Sequence, residues 1–299
     1  MRVEQQLKEK YGLKNPTCKA LNTLANYAYE VLTSDGHFAL KLYNAASRTE
    51  QDVQWELDLT LYLAKNGVPV AKPVAGKSGY LQAFDVDGEK RVAILFEWAV
   101  GKKPKPELST YALLGNAAAQ IHQAADTFTS DLPREKYDMH ELLDDQLERM
   151  KMTLQQTGEW NRVYELTERM RKITSNPKLD YGIIHNDLTL DNIHQSGNAI
   201  TVFDFDSAGE SWRAAEPWGV LRASEDRFQS WLKGYRAVRH FSQDDERAVA
   251  AFVIVEDIRN VVWKLGLARS SRGKPLMLSN ELPAVVEDWL NWESEKVNT

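Results

Sequence analysis

The stretch Ile183-Ile184-His185-Asn186-Asp187-Leu188-Thr189-Leu190-Asp191-Asn192-Ile193, followed by Val202-Phe203-Asp204-Phe205-Asp206, carries the chemistry of this 299-residue chain. It has the form H-x-D-x-x-x-x-N, with an acidic D-F-D whose first aspartate lies twelve residues after the asparagine. Moving a phosphoryl group from a nucleotide needs a carboxylate that orients the attacking hydroxyl and takes its proton. It also needs oxygen ligands for a Mg²⁺ that bridges the phosphates and offsets their charge. Asp187 suits the first role; Asn192 and Asp204 suit the second, because Mg²⁺ prefers hard oxygens and few protein carboxylates. His185 and Asp206 stand beside these positions as secondary candidates. Short polar residues also cap turns, but capping alone would have to account for two motifs in this order, each closing a β-like apolar run (182–184 and 199–203).

Working upstream, such chemistry calls for a strand lysine that holds the α- and β-phosphates and a helix glutamate that holds the lysine. Lys41, in Phe38-Ala-Leu-Lys41-Leu-Tyr43, sits inside an apolar strand pattern where an unpaired ammonium would be costly. Glu56 follows fifteen residues later in a predicted helix over 49–66; it is preferred to Glu50 because its neighbours are the apolar ones facing the sheet. Around this pair the pattern predicts a helix over 3–11 and strands over 17–23, 27–33, 37–43, 80–86 and 91–98. Hairpins are expected at Asp35-Gly36 and Asp87-Gly88, where the turn requires positive φ. A Lys- and Pro-rich segment over 100–106 breaks the pattern. Helices are then expected over 108–126, 139–156, 162–175, 217–238, 244–268 and 281–295. The reading is α+β, with an antiparallel nucleotide-binding region over 1–99 and a mainly helical region over 100–299.

With these residues in place, the sequence resembles the aminoglycoside phosphotransferase superfamily of small-molecule kinases, which includes homoserine kinase type II and choline kinase relatives. The resemblance runs from about residue 21 to 270 and implies a bilobal protein-kinase-like fold with ATP and Mg²⁺ as cofactors. By this resemblance Asp187 corresponds to the catalytic base, Asn192 and Asp204 to metal ligands, and Lys41 with Glu56 to the phosphate-holding pair. Phe96, Glu97, Trp98 and Ala99 correspond to the adenine-binding connector. There are departures. Asn186 replaces the glycine common after the catalytic histidine, and Thr189-Leu190-Asp191 replaces a His-Pro-Gly-like run. The phosphate-covering segment over 23–29 lacks glycine, which leaves backbone amides and Asn26 to do that work. Glu216 stands where relatives often carry an aspartate that buttresses the loop.

Composition sets the outer bounds. With 43% hydrophobic residues and one cysteine, Cys18, the chain suits a cytoplasmic globular protein without disulfides or a cysteine-built metal site. No apolar run reaches the length of a membrane span. No two of the 16 glycines are two apart, which excludes G-x-G-x-x-G; Gly-Lys falls at 76–77, 101–102 and 273–274, but only Gly76-Lys77 is followed by a serine and Ala71 stands where the first P-loop glycine would be, so no P-loop occurs. The first hundred residues balance acid and base, so the whole net charge of −6 falls on the remainder. That sign disfavours nucleic acid and favours a small acceptor bearing an amine, with Glu256 and Asp257 the first carboxylates to consider and Glu225 and Asp226 behind them. His122 reads as a helix residue packed near the catalytic loop. Trp212, Trp218, Trp231 and Trp263 read as helical core, and 269–274 as a flexible loop. A silent kinase-fold binding protein and a protein kinase are the rival readings; no A-P-E-type segment follows Asp204.

Overall fold

A computed structural model describes residues 2–23, 26–268 and 275–297. The chain forms two compact units, the first built from 1–104, 127–134 and 191–206, the second from 105–126, 135–190 and 207–299. The predicted flexible loop over 269–274, and two residues of the phosphate-covering segment, lie outside the described residues.

The first unit opens with α1 (Val3–Tyr11), β1 (Thr17–Ala20), β2 (Tyr27–Thr33), β3 (Gly36–Leu42), α2 (Glu50–Lys65), β4 (Pro73–Val74), β5 (Gln82–Val86) and β6 (Glu89–Glu97). The strands run β1-β2-β3-β6-β4, with β5 also on β6, all antiparallel. The period of two decides the faces. Leu40 and Leu42 enter a core with Leu7 of α1, Val31 and Phe84, while Tyr43 joins Val53, Leu57 and Ile94 beneath α2. The α2 helix starts at a capping box, with Thr49 and Asp52 satisfying each other's backbone amides. The predicted strand over 17–23 ends earlier, at Ala20, and the short β4 carried no sequence signal, since Pro73 depresses strand propensity.

In the second unit α3 (Leu108–Ala125) leads to a π-helical turn (His140–Asp144), α4 (Asp145–Thr157), α5 (Trp160–Thr174) and β7 (Tyr181–Ile184). The chain then returns to the first unit for β8 (Ile193–Ser196) and β9 (Ala199–Val202), a hairpin held by backbone bonds from Ala71 to Val202 (2.8 Å) and Val202 to Pro69 (2.8 Å). Lys102 and Gln195 exchange both backbone hydrogen bonds, at 3.1 and 2.8 Å. Back in the second unit, β10 (Gly209–Trp212) pairs with β7, followed by α6 (Trp218–Ala223), α7 (Glu225–Arg236), α8 (Gln243–Lys264) and α9 (Leu282–Trp292).

The single helix predicted over 217–238 is two helices. Ser224 adopts φ −173°, and Glu225 and Asp226 favour a new N-terminus through the helix dipole. Helices α3 and α7 pack so closely that glycine is required at the contact: a Cβ on Gly234 would stand 1.8 Å from the Ala112 carbonyl oxygen. Of the four tryptophans expected in the core only Trp231 is fully buried; Trp212, Trp218 and Trp263 are half-buried, and Trp289 of α9 is buried instead. Among the described residues no helix is long and apolar enough to cross a membrane.

Candidate active site

In the first unit, strand alternation puts Lys41 on the face covered by α2, opposite Ala28 and Ile94. There its Nζ lies 3.0 Å from Glu56 Oε1, 2.5 Å from Asp204 Oδ1 and 3.6 Å from Asp206 Oδ2. Glu56 is 2% exposed, whereas Glu50, the rival partner, is exposed at the start of α2. Burial alone would lower the affinity of Lys41 for its proton. The carboxylates of Asp204, Asp206 and Glu56 outweigh that and hold the ammonium well above the usual lysine range. The charge is thus fixed.

Asp204 follows β9 with φ +69°, a left-handed conformation that a residue with a Cβ adopts at a cost. Its carboxylate is partly exposed, at 41%. The Phe203 amide donates to the Asn192 carbonyl (3.0 Å), tying the positions of Asn192 and Asp204 together. Asp206 is more enclosed. Burial would raise its proton affinity, but Lys41, Arg48, the Asn26 amide and Arg134 hold it below the ordinary aspartate value. Asn26 donates from Nδ2 to Asp206 Oδ2 (2.7 Å) and accepts from the Asn44 amide (3.1 Å). It is a strut between the end of β3 and the acidic motif. Arg134 donates to the Asp206 carbonyl and lies over the Trp55 ring, 4.7 Å from its centroid.

Phe96 and Glu97 end β6, and Trp98 and Ala99 follow it. Phe96 opposes Ala39 and Glu97 opposes Phe38 in the ladder. Trp98 stacks on His37 with 4.2 Å between ring centroids, and the Ala99 carbonyl accepts from His194 Nδ1 at 2.7 Å. Since a carbonyl only accepts, His194 carries its proton on Nδ1.

In the second unit the β7–β10 pair delivers the loop that holds His185, Asn186 and Asp187. His185 is fully buried, Asp187 is exposed, and Asn186 has φ +65°. Glu216 receives the His185 amide on Oε2 (2.7 Å) and the Asn186 amide on Oε1 (3.0 Å), fixing the backbone just before Asp187. The Asp187 amide itself lies 3.3 Å from His185 Nδ1, which accepts from it. Arg259 spans Glu256 Oε2 (2.6 Å) and Asn186 Oδ1 (3.3 Å) and lies over the Tyr137 ring. Asp257 accepts from Arg222 at 3.1 Å. Both carboxylates expected to meet an acceptor amine therefore already hold a guanidinium. Glu256 Oε1 and Asn186 Nδ2 are buried without a partner among the described residues.

The profile of the phosphotransferase enzyme family, APH, matches residues 17–252. The chain belongs to this phosphotransferase family. An amicoumacin kinase of Bacillus subtilis is 26% identical to it over 221 residues, 70% of this chain and 64% of that protein. Among solved structures, the amicoumacin kinase hAmiN in complex with AMP-PNP, Ca²⁺ and Ami has a TM-score of 0.76 at 18% identity, covering 99% of this chain and 93% of its own. A microcompartment-associated aminopropanol kinase has a TM-score of 0.73 at 21% identity, covering 99% and 94%. The phosphotransferase thus shares the α+β fold of small-molecule kinases.

Four groups beside these residues, three in the first unit and one in the second, escaped the sequence reading. Arg134 and Arg48 lie far from the motifs in sequence, and nothing but the fold brings them to Asp206. Arg259 follows Glu256 by one helical turn, so i,i+3 pairing was the available signal. The hydroxyl of Tyr43, buried beside Lys41 with no partner among the described residues, had no signal at all.

Proposed function

We propose that this phosphotransferase moves the γ-phosphoryl group of ATP onto a hydroxyl of a small, amine-bearing molecule. The observation that carries the reading is the Lys41 ammonium, enclosed by Glu56, Asp204 and Asp206. A buried cation surrounded by three carboxylates is more than one structural ion pair needs, and it stands beside the motif that chemistry assigns to the metal. Lys41 orients the α- and β-phosphates, and Glu56 keeps its ammonium in place. Asp187, on the loop gripped by Glu216, orients the acceptor hydroxyl and takes its proton as the oxygen–phosphorus bond forms; the bond from the γ-phosphorus to the bridging oxygen breaks and ADP leaves. Phe96 to Ala99 receive the adenine.

The donors suit Mg²⁺: one partly exposed carboxylate, Asp204, and one amide oxygen, Asn192, are hard ligands that leave room for water and phosphate. Among the described residues no three His, Cys, Asp or Glu side chains gather as a closed metal cage. Bound at Asn192 and Asp204, the ion would offset phosphate charge.

The amine rests on the acidic balance of residues beyond 100 and on the amine-bearing substrates named for relatives. Glu256 has a better claim to it than Asp257, since its Oε1 lacks a partner. The test is ADP release over a panel of amino alcohols, aminoglycosides and sugars, with Asp187→Asn as control. Turnover should fall by about 10²–10⁴-fold in that variant while nucleotide binding persists. Near-normal turnover would remove Asp187 from the mechanism, and a preference for uncharged sugars would remove the amine.

A further inference from the structure

Behind the catalytic loop, in the second unit, lies a buried chain of polar groups that the proposed reaction does not use. Glu216 is 6% exposed and His122 fully buried. His122 Nε2 lies 3.1 Å from Glu216 Oε2, and His122 Nδ1 lies 2.9 Å from the Tyr235 hydroxyl. The carboxylate only accepts, so Nε2 carries the imidazole proton; Nδ1 is then bare and accepts from the tyrosine. The hydrogen bonds all run one way, from Tyr235 to His122 to Glu216, where they meet the amides of His185 and Asn186 donating from the other side.

We propose that His122, backed by Tyr235, is a positioning residue: its Nε2–H keeps Glu216 a carboxylate able to grip both loop amides, and so holds Asp187 in place. The inference rests on reading Asp187 as the base. A carboxyl this deeply buried would ordinarily hold its proton more tightly. The Nε2–H hydrogen bond from His122, with the His185 amide, instead holds Glu216 below the usual glutamate value. Burial keeps His122 itself neutral, and Arg213 and Arg239 nearby oppose a second proton. Arg213 Nη2 also donates to the His122 carbonyl at 3.3 Å. From α8, Glu256 is the acidic group that senses Glu216.

Without the His122 donor, Glu216 would take up a proton at higher pH. That proton occupies an oxygen on which a loop amide depends. The left-handed Asn186, at φ +65°, would then relax and carry Asp187 with it. The proton affinity of Asp187 need not change for turnover to fall, since a displacement of about 1 Å costs on the order of 10²-fold.

The experiment is basal ATP hydrolysis, read as ADP release with Mg²⁺ and water as acceptor, against pH, with thermal melting alongside. His122→Phe should lower kcat by about 10²-fold, leave the ATP KM within about twofold, and displace the acid limb of the kcat profile to higher pH. His122→Gln, which keeps a donor, should restore most of the rate, and Tyr235→Phe should fall between. An unmoved acid limb, or a glutamine variant no better than phenylalanine, overturns the proposal. If both His122 variants fail to fold, Tyr235→Phe decides it, because only a hydroxyl is lost. Turnover that survives in Asp187→Asn would overturn the base itself, whereas turnover lost there with unmoved limbs in the His122 and Tyr235 variants overturns this inference alone.

Discussion

Replacing Lys41 by methionine tests the charge cluster without invoking substrate. Methionine has about the volume of the lysine stem, so the packing change is small. The ammonium is 3.0 Å from Glu56, which is 2% exposed, and 3.6 Å from Asp206, whose side chain is 16% exposed. Its loss leaves two enclosed carboxylates facing a vacancy, and removing one partner of a buried pair costs about 3–5 kcal/mol. Asp204, at 41% exposure, adds little because water screens it. Urea denaturation near neutral pH should therefore show a fall of about 3–5 kcal/mol with an unchanged slope. The loss should shrink as pH drops and Glu56 takes a proton, and Glu56→Gln in the same background should recover most of it. Glu56→Gln alone should cost less, since Lys41 keeps Asp204 and Asp206. A Lys41→Met protein as stable as the parent, or a Glu56→Gln protein equally damaged, would refute the reasoning.

Asn192→Ala and Asp204→Ala should each raise the Mg²⁺ concentration needed for half-maximal ADP release, because each deletes an oxygen ligand from a site with few; unchanged dependence in both places the metal elsewhere. Asp180 is held below the ordinary aspartate value: burial would raise it, but hydrogen bonds and charge from Arg239 and Arg213 prevail. Its contribution is therefore present above the unfolded value of about 3.9 and lost as pH falls through the lower folded value. Denaturation midpoints of Asp180→Asn against the parent should converge in acid and diverge at neutral pH. Gly234→Ala should destabilise by at least about 1–3 kcal/mol, whereas Gly219→Ala, whose added Cβ meets nothing within 4 Å, should hold or gain stability in α6; equal melting temperatures would refute the close α3–α7 contact.

Much of this architecture was legible in the residues themselves. The helix over 3–11 and the β2–β3 hairpin follow from apolar period and an Asp-Gly turn, and α2 from its apolar stripe. The spacing of Lys41 and Glu56 foretold their pairing because strand and helix both impose a fixed facing, and Glu56 alone lies on the buried side. What stayed hidden depends on tertiary partners. Asn26 is spent on Asp206 and Asn44, and Glu256 and Asp257 hold arginines from one turn and 35 residues away. The Ser224 break was obscured because the apolar pattern of α6 continues in phase into α7. Glu216 and His122 were visible as neighbours of the loop, but the direction of their hydrogen bonds needed Tyr235, which no local pattern names.

The interleaving of chain segments also bears on how the protein is made. The first unit takes 1–104 and then waits for 191–206 to supply β8 and β9, whose backbone bonds reach residues 69–71 and 102. A ribosome that has delivered the sheet must extend the chain by about a hundred further residues, roughly 5–20 s at ordinary elongation rates, before that unit can close. Until then the edge at 69–71 and the linker at 102 have no partner strand, and a fragment ending at 104 keeps that opening permanently. Nascent chains stalled before residue 206 should accordingly be more sensitive to protease in their first hundred residues than chains released beyond it.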